Sequence, residues 1–380
     1  MSTDSKLKVI LAGAYSPPGG MTGTYGRILN NLSASSIFKD EIEFIPLRVT
    51  LPVDGNMAKR FAVDMYRFIR SMKYKPAILH FLMHKYRALY REYPILKLAK
   101  ALGVKTIVDI RAGTLQYMLN RRNYRLQNAM MRDLLRHGDA IILECKKDVP
   151  FIKTNFGQEG LYVPNAILEE DFKRIKPADL ARENGQPLKL IYSGRYSDDK
   201  GVPVMLKSLD ILSKKGLKVE LHLTGQGKET HVLKMIKAYA DAAPKGTSVV
   251  DHGWDVPDLY ALLASAHIFV MPTCWMGEGH PNSVTEAMMA GLGMILSDWL
   301  HREDIVPNNG AVIIPPHDPT ALAEAVEQYS NDFVSLAKAG RINRAFVKEN
   351  YLDSVCYPRF LDLYKKLVQN NTNEFRMAES

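Results

Sequence analysis

The stretch LKLIYSGRYSDDKGVPVMLKSLDIL, residues Leu188–Leu212, decides the fold. Leu188–Ser193 is a short apolar run of the kind that forms a buried strand. Gly194–Gly201 is a turn rich in Gly, Ser and Asp. Val202–Leu212 then carries apolar residues at helical spacing. Strand, glycine turn and helix make one βα unit, and the same unit recurs in both directions. Downstream, strands are expected at Val219–Thr224, Ser248–Asp251, His267–Met271, Gly293–Ser297 and Ala311–Ile314, with helical patterns between them. Upstream, Lys8–Ala14 reads as a strand, followed by the turn Pro18–Gly23 and a helix near Tyr25–Ser33. Ile42–Leu47, Ala77–Phe81, Lys105–Ile110 and Ala140–Leu143 continue the series. Alternation of this kind predicts parallel sheets in an α/β protein.

The rhythm breaks once. Pro164-Asn165 closes the first array, and Leu168–Pro187 is charged and turn-rich. The reading is therefore two Rossmann-like domains: 1–167, a connection over 168–187, and 188–356. Residues 357–380 form a final helix and tail that could cross back to the first domain. Doubly wound sheets bind ligands at the carboxyl ends of their strands, so chemistry is expected in the cleft the two domains share.

The 380-residue length suits two cores, and 46% hydrophobic with 24% charged residues is ordinary for a globular chain. Cys145, Cys274 and Cys356 are too few and too scattered for a disulfide framework or a zinc site, which points to a reducing cytoplasm. The run Val9–Ala14 is too short for a signal peptide, and no run approaches the ~20 apolar residues that span a bilayer. Residues 1–165 hold 26 Lys and Arg against 13 Asp and Glu, a net of +13, whereas 166–380 hold 24 against 28, a net of −4. The first half thus invites an anionic partner. Nucleic acid is not expected, because no helix-turn-helix, zinc-finger or aromatic-basic RNA motif is present.

Two segments carry chemistry. In the first, Arg195 and Lys200 lie five residues apart on the strand-to-helix loop. Together with a helix N-terminus they can neutralise a diphosphate, Arg as a planar fork and Lys as a point charge. A plain solvated loop is the competing reading. The second is Glu278-Gly279-His280-Pro281-Asn282-Ser283-Val284-Thr285-Glu286, leading into Ala287-Met288-Met289-Ala290-Gly291. Glu278 would accept hydrogen bonds from sugar hydroxyls and Glu286 from a ribose, while the amides after Pro281 face phosphate. Against this, Ser283-Val284-Thr285-Glu286 also fits a capping box, which would explain Glu286 without a ligand.

Taken together, these segments resemble family 4 of the retaining glycosyltransferases, which have the GT-B fold. The likeness spans the chain and is strongest from Leu188 to Asp318. It includes Gly194-Arg195 with Lys200-Gly201, Thr224-Gly225-Gln226-Gly227, His252-Gly253-Trp254, the Glu278–Glu286 pair, Asn309-Gly310 and Pro316-His317-Asp318-Pro319. Gly19-Gly20 and Val163-Pro164-Asn165 fit in the first half.

The resemblance implies a retaining hexosyltransferase whose donor is a nucleotide-diphosphate sugar, a UDP-sugar or GDP-mannose. Arg195 and Lys200 would grip the diphosphate, Glu286 the ribose and Glu278 the transferred sugar. Gly19 and Gly20 would approach the phosphates, and Gly279, His280, Pro281, Asn282 and Ser283 would complete the donor turn. Gly225, Gln226 and Trp254 fall where the family builds its base pocket, although a core tryptophan is the competing reading. The cations would replace a metal, so neither metal nor other cofactor is expected. Where the family often carries a histidine this chain has Arg111, which is expected at the acceptor edge of the cleft, unpaired with Asp109. His80 and His84 lie near another strand end, as acceptor-side or packing residues. The expected acceptor is a glycan or a lipid-linked molecule, used in bacterial cell-surface polysaccharide or glycolipid assembly.

Rival readings are a GT-B nucleotide-sugar epimerase, a glycan phosphorylase, or a non-catalytic anionic-lipid or polysaccharide binder. An epimerase would convert donor without acceptor, a phosphorylase would need a pyridoxal-phosphate lysine, and a binder would leave the donor untouched. A further candidate partner is an anionic membrane surface, on the inner face of the cell membrane; the competing reading is a helix packed by its apolar stripe and solvated on its basic face. Over Met57–Lys75, Met57, Phe61, Met65, Phe68, Ile69 and Met72 form an apolar stripe at helical spacing. Lys59, Arg60, Arg67, Arg70 and Lys73 are expected on the other side, with Asp64 among them. A second cluster, Arg121, Arg122, Arg125, Arg132 and Arg136, adds to the same charge.

Overall fold

The βα alternation is built as two parallel sheets. The computed structural model describes residues 6–15, 24–49, 56–83, 88–178, 185–275 and 277–378. The chain divides into one unit of Met1–Leu168 with Tyr351–Ser380 and a second of Glu169–Asn350.

In the first unit the strands are β1 (Leu7–Gly13), β2 (Ile42–Arg48), β3 (Ile78–Met83), β4 (Lys105–Ile110), β5 (Ala140–Leu143) and β6 (Gly160–Tyr162). They pair in parallel in the order β2-β1-β3-β4-β5-β6. Both faces are covered, so most strands are apolar throughout rather than alternating. Ile10, Leu79, Phe81 and Val108 meet helices 57–71, 89–101 and 125–137 on one face. Val9, Leu11, Leu82 and Ile142 meet helices 24–34 and 358–378 on the other. The chain returns to this unit at Tyr351, earlier than the expected residue 357. Ile167 N–H bonds the Tyr351 carbonyl and Asp353 N–H bonds the Ile167 carbonyl, each at 2.8 Å. Cys356, Tyr357 and Phe360 then join the core.

Helix 57–71 begins at Asn56, whose side chain accepts from Lys59 N–H at 2.8 Å, a standard N-cap. Its inward side keeps Phe68, Met65 and Met72 of the expected stripe, with Phe61 half-buried, and adds a charge to them. Asp64 is fully buried and paired with Arg91 Nη1 at 2.7 Å, instead of lying among the basic residues. That partner, on the next helix, neutralises the carboxylate and lets a charge occupy a core-facing position. Met57 and Ile69, expected in the stripe, are exposed. Among the described residues no helix is long and apolar enough to cross a membrane.

In the second unit the strands are β7 (Leu188–Ser193), β8 (Val219–Thr224), β9 (Thr247–Asp251), β10 (Ile268–Met271), β11 (Gly293–Ser297) and β12 (Ala311–Ile314). Their order is β12-β11-β10-β7-β8-β9, all parallel. Counted from β7 this is 3-2-1-4-5-6, the order of dinucleotide-binding sheets. The order reverses between β7 and β10, so the loops leaving those two strands flank the switch point, where open α/β sheets hold their ligands.

Candidate active site

The loop leaving β7 is Gly194–Gly201. Its path is fixed by the neighbouring loop after β8, where Gly194 N–H bonds the Thr224 carbonyl at 2.9 Å and Tyr196 N–H bonds the Gln226 carbonyl at 2.8 Å. A Cβ on Gly225 would fall on the Gly194 carbonyl, and one on Gly227 on the Tyr196 carbonyl. These glycines therefore permit the two loops to touch, which gives Gly225 a packing role whatever else it does. Gly201 has φ +77°, and a Cβ there would fall on the Pro272 carbonyl, so the end of the loop also needs glycine. Tyr192 is buried and donates to the Arg195 carbonyl at 2.7 Å; burial holds its phenol protonated, with a pKa well above the ordinary value.

The loop leaving β10 carries Thr273–Pro281 and is tied to the first at Asp199. Cys274 N–H and Thr273 Oγ1 both donate to the Asp199 carbonyl, at 2.9 and 3.1 Å. Ser297 Oγ, at the end of β11, donates to the Thr273 carbonyl, and Trp299 Nε1 donates to the Gly279 carbonyl at 3.3 Å. Three strand ends thus brace one turn.

On this frame the predicted cations and the first glutamate come together. Lys200 Nζ pairs with Glu278 Oε2, and Thr273 Oγ1 lies 3.2 Å from the same oxygen, an alternative acceptor for its one hydroxyl hydrogen. Arg195 Nη2 pairs with Asp199 Oδ2 at 2.8 Å, and Ser197 Oγ donates to Asp199 Oδ1. The two pairs differ in setting: the Lys200 side chain is 13% exposed and that of Arg195 51%. Trp275 lies beside both. Its ring centroid is 4.3 Å from Lys200 Nζ and 5.3 Å from Arg195 Cζ, within cation–π range. Neither Asp199 as a partner of Arg195 nor Trp275 was recognised from sequence. The usable signal was a single aromatic residue between Pro272 and Gly277, in the segment that follows a strand end.

Helix 282–289 follows, with Pro281 in the N-cap position, extended, and without a side-chain cap hydrogen bond. This removes the capping-box reading, which needs Ser283 outside the helix; Ser283 is already its second residue. Glu286 is buried one turn further along. His280 is buried beside it, its Nε2 2.8 Å from Thr285 Oγ1. Asn282 and Ser283 are half-buried at the helix start. Gln226 is exposed, and Trp254, at 36% exposure, is not a core tryptophan. Gly19, Gly20 and His84 lie outside the described residues.

The first unit corrects one expectation. Arg111 is buried and bidentate on Asp109, Nε to Oδ1 at 2.7 Å and Nη2 to Oδ2 at 2.9 Å. Its Nη1 donates to the Val163 carbonyl at 2.7 Å and to Asn165 Oδ1 at 3.2 Å. Strand β4 ends at Ile110, so Arg111 is released from the pleat and can fold back onto Asp109. Arg111 is therefore a structural cation and not a free guanidinium at an acceptor edge. Burial alone would raise the Asp109 carboxyl, but Arg111 and His80 hold it below its ordinary value. His80 is buried as well, 3.0 Å from Asp109 Oδ2 and 2.6 Å from the Tyr364 hydroxyl, which makes it a packing histidine.

Comparison with known proteins supports the second unit's assignment. The model of the family described as Glycosyl transferases group 1 matches residues 187–332. The chain is 24% identical over 188 residues to the amylovoran biosynthesis glycosyltransferase AmsK of Erwinia amylovora; the alignment covers 48% of this chain and 46% of that protein. Among solved structures it resembles sucrose-phosphate synthase from Thermosynechococcus elongatus, with 15% identity and TM-score 0.72, covering 96% of this chain and all of that one. It also resembles Anabaena HepE in complex with UDP and glucose, with 12% identity and TM-score 0.68, covering 95% of this chain and all of that one. At such identities the likeness is one of fold, the GT-B arrangement of two parallel α/β sheets.

Proposed function

We propose that this chain, a group 1 glycosyltransferase by its second unit, moves a hexose from a nucleotide-diphosphate sugar to an acceptor hydroxyl with retention. The observation that carries the reading is the convergence of Arg195, Lys200 and Glu278 at the switch point between β7 and β10. A diphosphate entering there would take both cations from their carboxylates. The bond from the sugar's anomeric carbon to the diphosphate oxygen breaks, and a bond to the acceptor oxygen forms on the same face. The acceptor proton passes to a phosphate oxygen, so no side-chain base is required. Arg195, Lys200 and the amides of Asn282 and Ser283 would stabilise the charge growing on the leaving diphosphate, the term that is usually largest in catalysis. Glu278, once free of Lys200, would hold the sugar hydroxyls, and Glu286 the ribose. The cations make a divalent ion unnecessary.

The likeness to an amylovoran biosynthesis enzyme supports polysaccharide or glycolipid assembly as the setting, with a glycan or lipid-linked acceptor. We place the work at an anionic membrane surface. On helix 57–71 and the 3-10 turn 72–74 that follows it, Tyr66 is 62% and Ile69 55% exposed, and Lys59, Arg70 and Lys73 are exposed as well. Apolar side chains set among cations suit a lipid headgroup region. The direct test is mass-spectrometric detection of product from a panel of UDP- and GDP-sugars, with and without glycan acceptors. Transfer that needs an acceptor supports the reading. Isomerised donor without acceptor would identify an epimerase instead, and untouched donor throughout would leave a binding protein.

A further inference from the structure

The geometry points to Trp275 as the positioning residue of the phosphate site: one indole holds Arg195 and Lys200 in place while both exchange carboxylate for phosphate. The inference rests on the proposed donor site and adds to it a residue that no motif marked.

Each cation is neutralised by a carboxylate, Arg195 by Asp199 and Lys200 by Glu278. A diphosphate can bind only by displacing them, and at that moment two like charges would stand close together without their original partners. The indole is the partner that remains. Its face attracts a cation through the ring quadrupole and uses none of the cation's N–H donors. Lys200 thus keeps its hydrogen-bonding capacity for phosphate, and Arg195 keeps its planar fork.

The backbone that presents the indole is braced by hydrogen bonds. Trp275 N–H donates to Thr273 Oγ1 at 3.2 Å, and the Trp275 carbonyl accepts from Glu278 N–H at 3.1 Å. Thr273 and Cys274, the two residues before it, are both bonded to the Asp199 carbonyl. The backbone that carries the ring is therefore tied to the same loop that carries the cations. At 39% exposure Trp275 is too open for a residue whose only task is to fill the core. An exposed indole could instead stack on the donor's base or sugar, and the choice of ligand separates the two roles.

The experiment is calorimetric titration of the full chain with UDP, GDP and inorganic pyrophosphate, comparing wild type, Trp275→Leu and Trp275→Phe, with a melting curve for each. Pyrophosphate has neither base nor sugar. We expect Trp275→Leu to weaken pyrophosphate and the preferred nucleoside diphosphate by the same factor, about tenfold for two partly exposed cation–π contacts. Trp275→Phe, which keeps a ring, should recover most of that loss. Unchanged pyrophosphate affinity in Trp275→Leu would overturn the inference, with or without a nucleotide defect. So would a phenylalanine variant as weak as the leucine one at an unchanged melting temperature. Wild type that binds none of the three ligands would instead remove the donor-site reading itself.

Discussion

Arg111 separates a structural account of the first unit from a functional one. Its guanidinium makes four hydrogen bonds, two to Asp109 and one each to Val163 and Asn165, in a site closed to solvent. Asp109→Asn keeps the shape but leaves a buried cation without its counter-charge. Breaking one partner of such a pair costs about 3–5 kcal/mol. For a unit of this size each kcal/mol lowers the melting temperature by about 2–4 °C, so a fall of about 6–20 °C is expected. Arg111→Met should cost a similar amount by stranding the carboxylate. The double variant should cost far less than the sum, because replacing both charges removes the unpaired state. The assay is thermal unfolding by circular dichroism, alongside donor turnover at a temperature where every variant is folded. The pH dependence has a fixed sign. Asp109 titrates below its ordinary 3.8 in the folded chain, so its stabilisation is complete above that value and is lost as pH falls through the lower folded one. Arg111→Met with an unchanged melting temperature and abolished transfer would refute this reasoning and return Arg111 to the acceptor.

Other consequences are as direct. Glu278→Gln should leave nucleoside diphosphate affinity equal or tighter, since Lys200 loses a competitor, while sugar transfer falls; a tenfold weaker nucleotide would contradict the partner exchange. His222 is held below its ordinary pKa by burial, which outweighs the adjacent Glu220, and His252 lowers it further. Its stabilisation is present above the unfolded value of 6.5 and lost as pH falls through the folded one. The melting temperature should thus drop as pH falls below 6.5, and His222→Gln should flatten that slope; an equal slope in both proteins would exclude His222 as its source. Co-sedimentation with anionic vesicles should be strong at low salt and weak at high salt, each basic residue near the surface contributing about 1 kcal/mol. Lys59→Glu/Arg70→Glu/Lys73→Glu should abolish it, and equal recovery of both proteins in the supernatant would leave that face merely solvated.

The strands were legible because both sheets are parallel and covered on both faces, which writes them as continuous apolar runs between Gly- and Asp-rich turns. Only β6 escaped, since three residues, Gly160–Tyr162, are too few to show a period. The phosphate loop was legible for a similar reason: Arg195, Lys200 and Glu278 sit in local motifs next to strand ends. What was hidden depends on partners distant in sequence. Asp64 looked like part of a basic face because its neutralising Arg91 lies on another helix. Arg111 is different: its main partner, Asp109, lies only two residues away, and it looked free because neighbours two apart on a strand share a face, whereas the strand ends at Ile110 and Arg111 folds back onto Asp109. Trp275 belongs to no period, and its meaning appears only when two loops are folded against each other.

The central claim is that Arg195 and Lys200 bind the diphosphate of a nucleotide donor. It is tested most directly by calorimetric titration of UDP and GDP, with chelator present, into wild type, Arg195→Ala and Lys200→Ala. Wild type should bind one of the two nucleotides. Each substitution should weaken it by about 1.5–3 kcal/mol, roughly 10- to 150-fold. The half-exposed Arg195 should fall at the lower end and the enclosed Lys200 at the upper, because solvent screens an exposed charge more. Affinities equal to wild type in both variants would contradict the account.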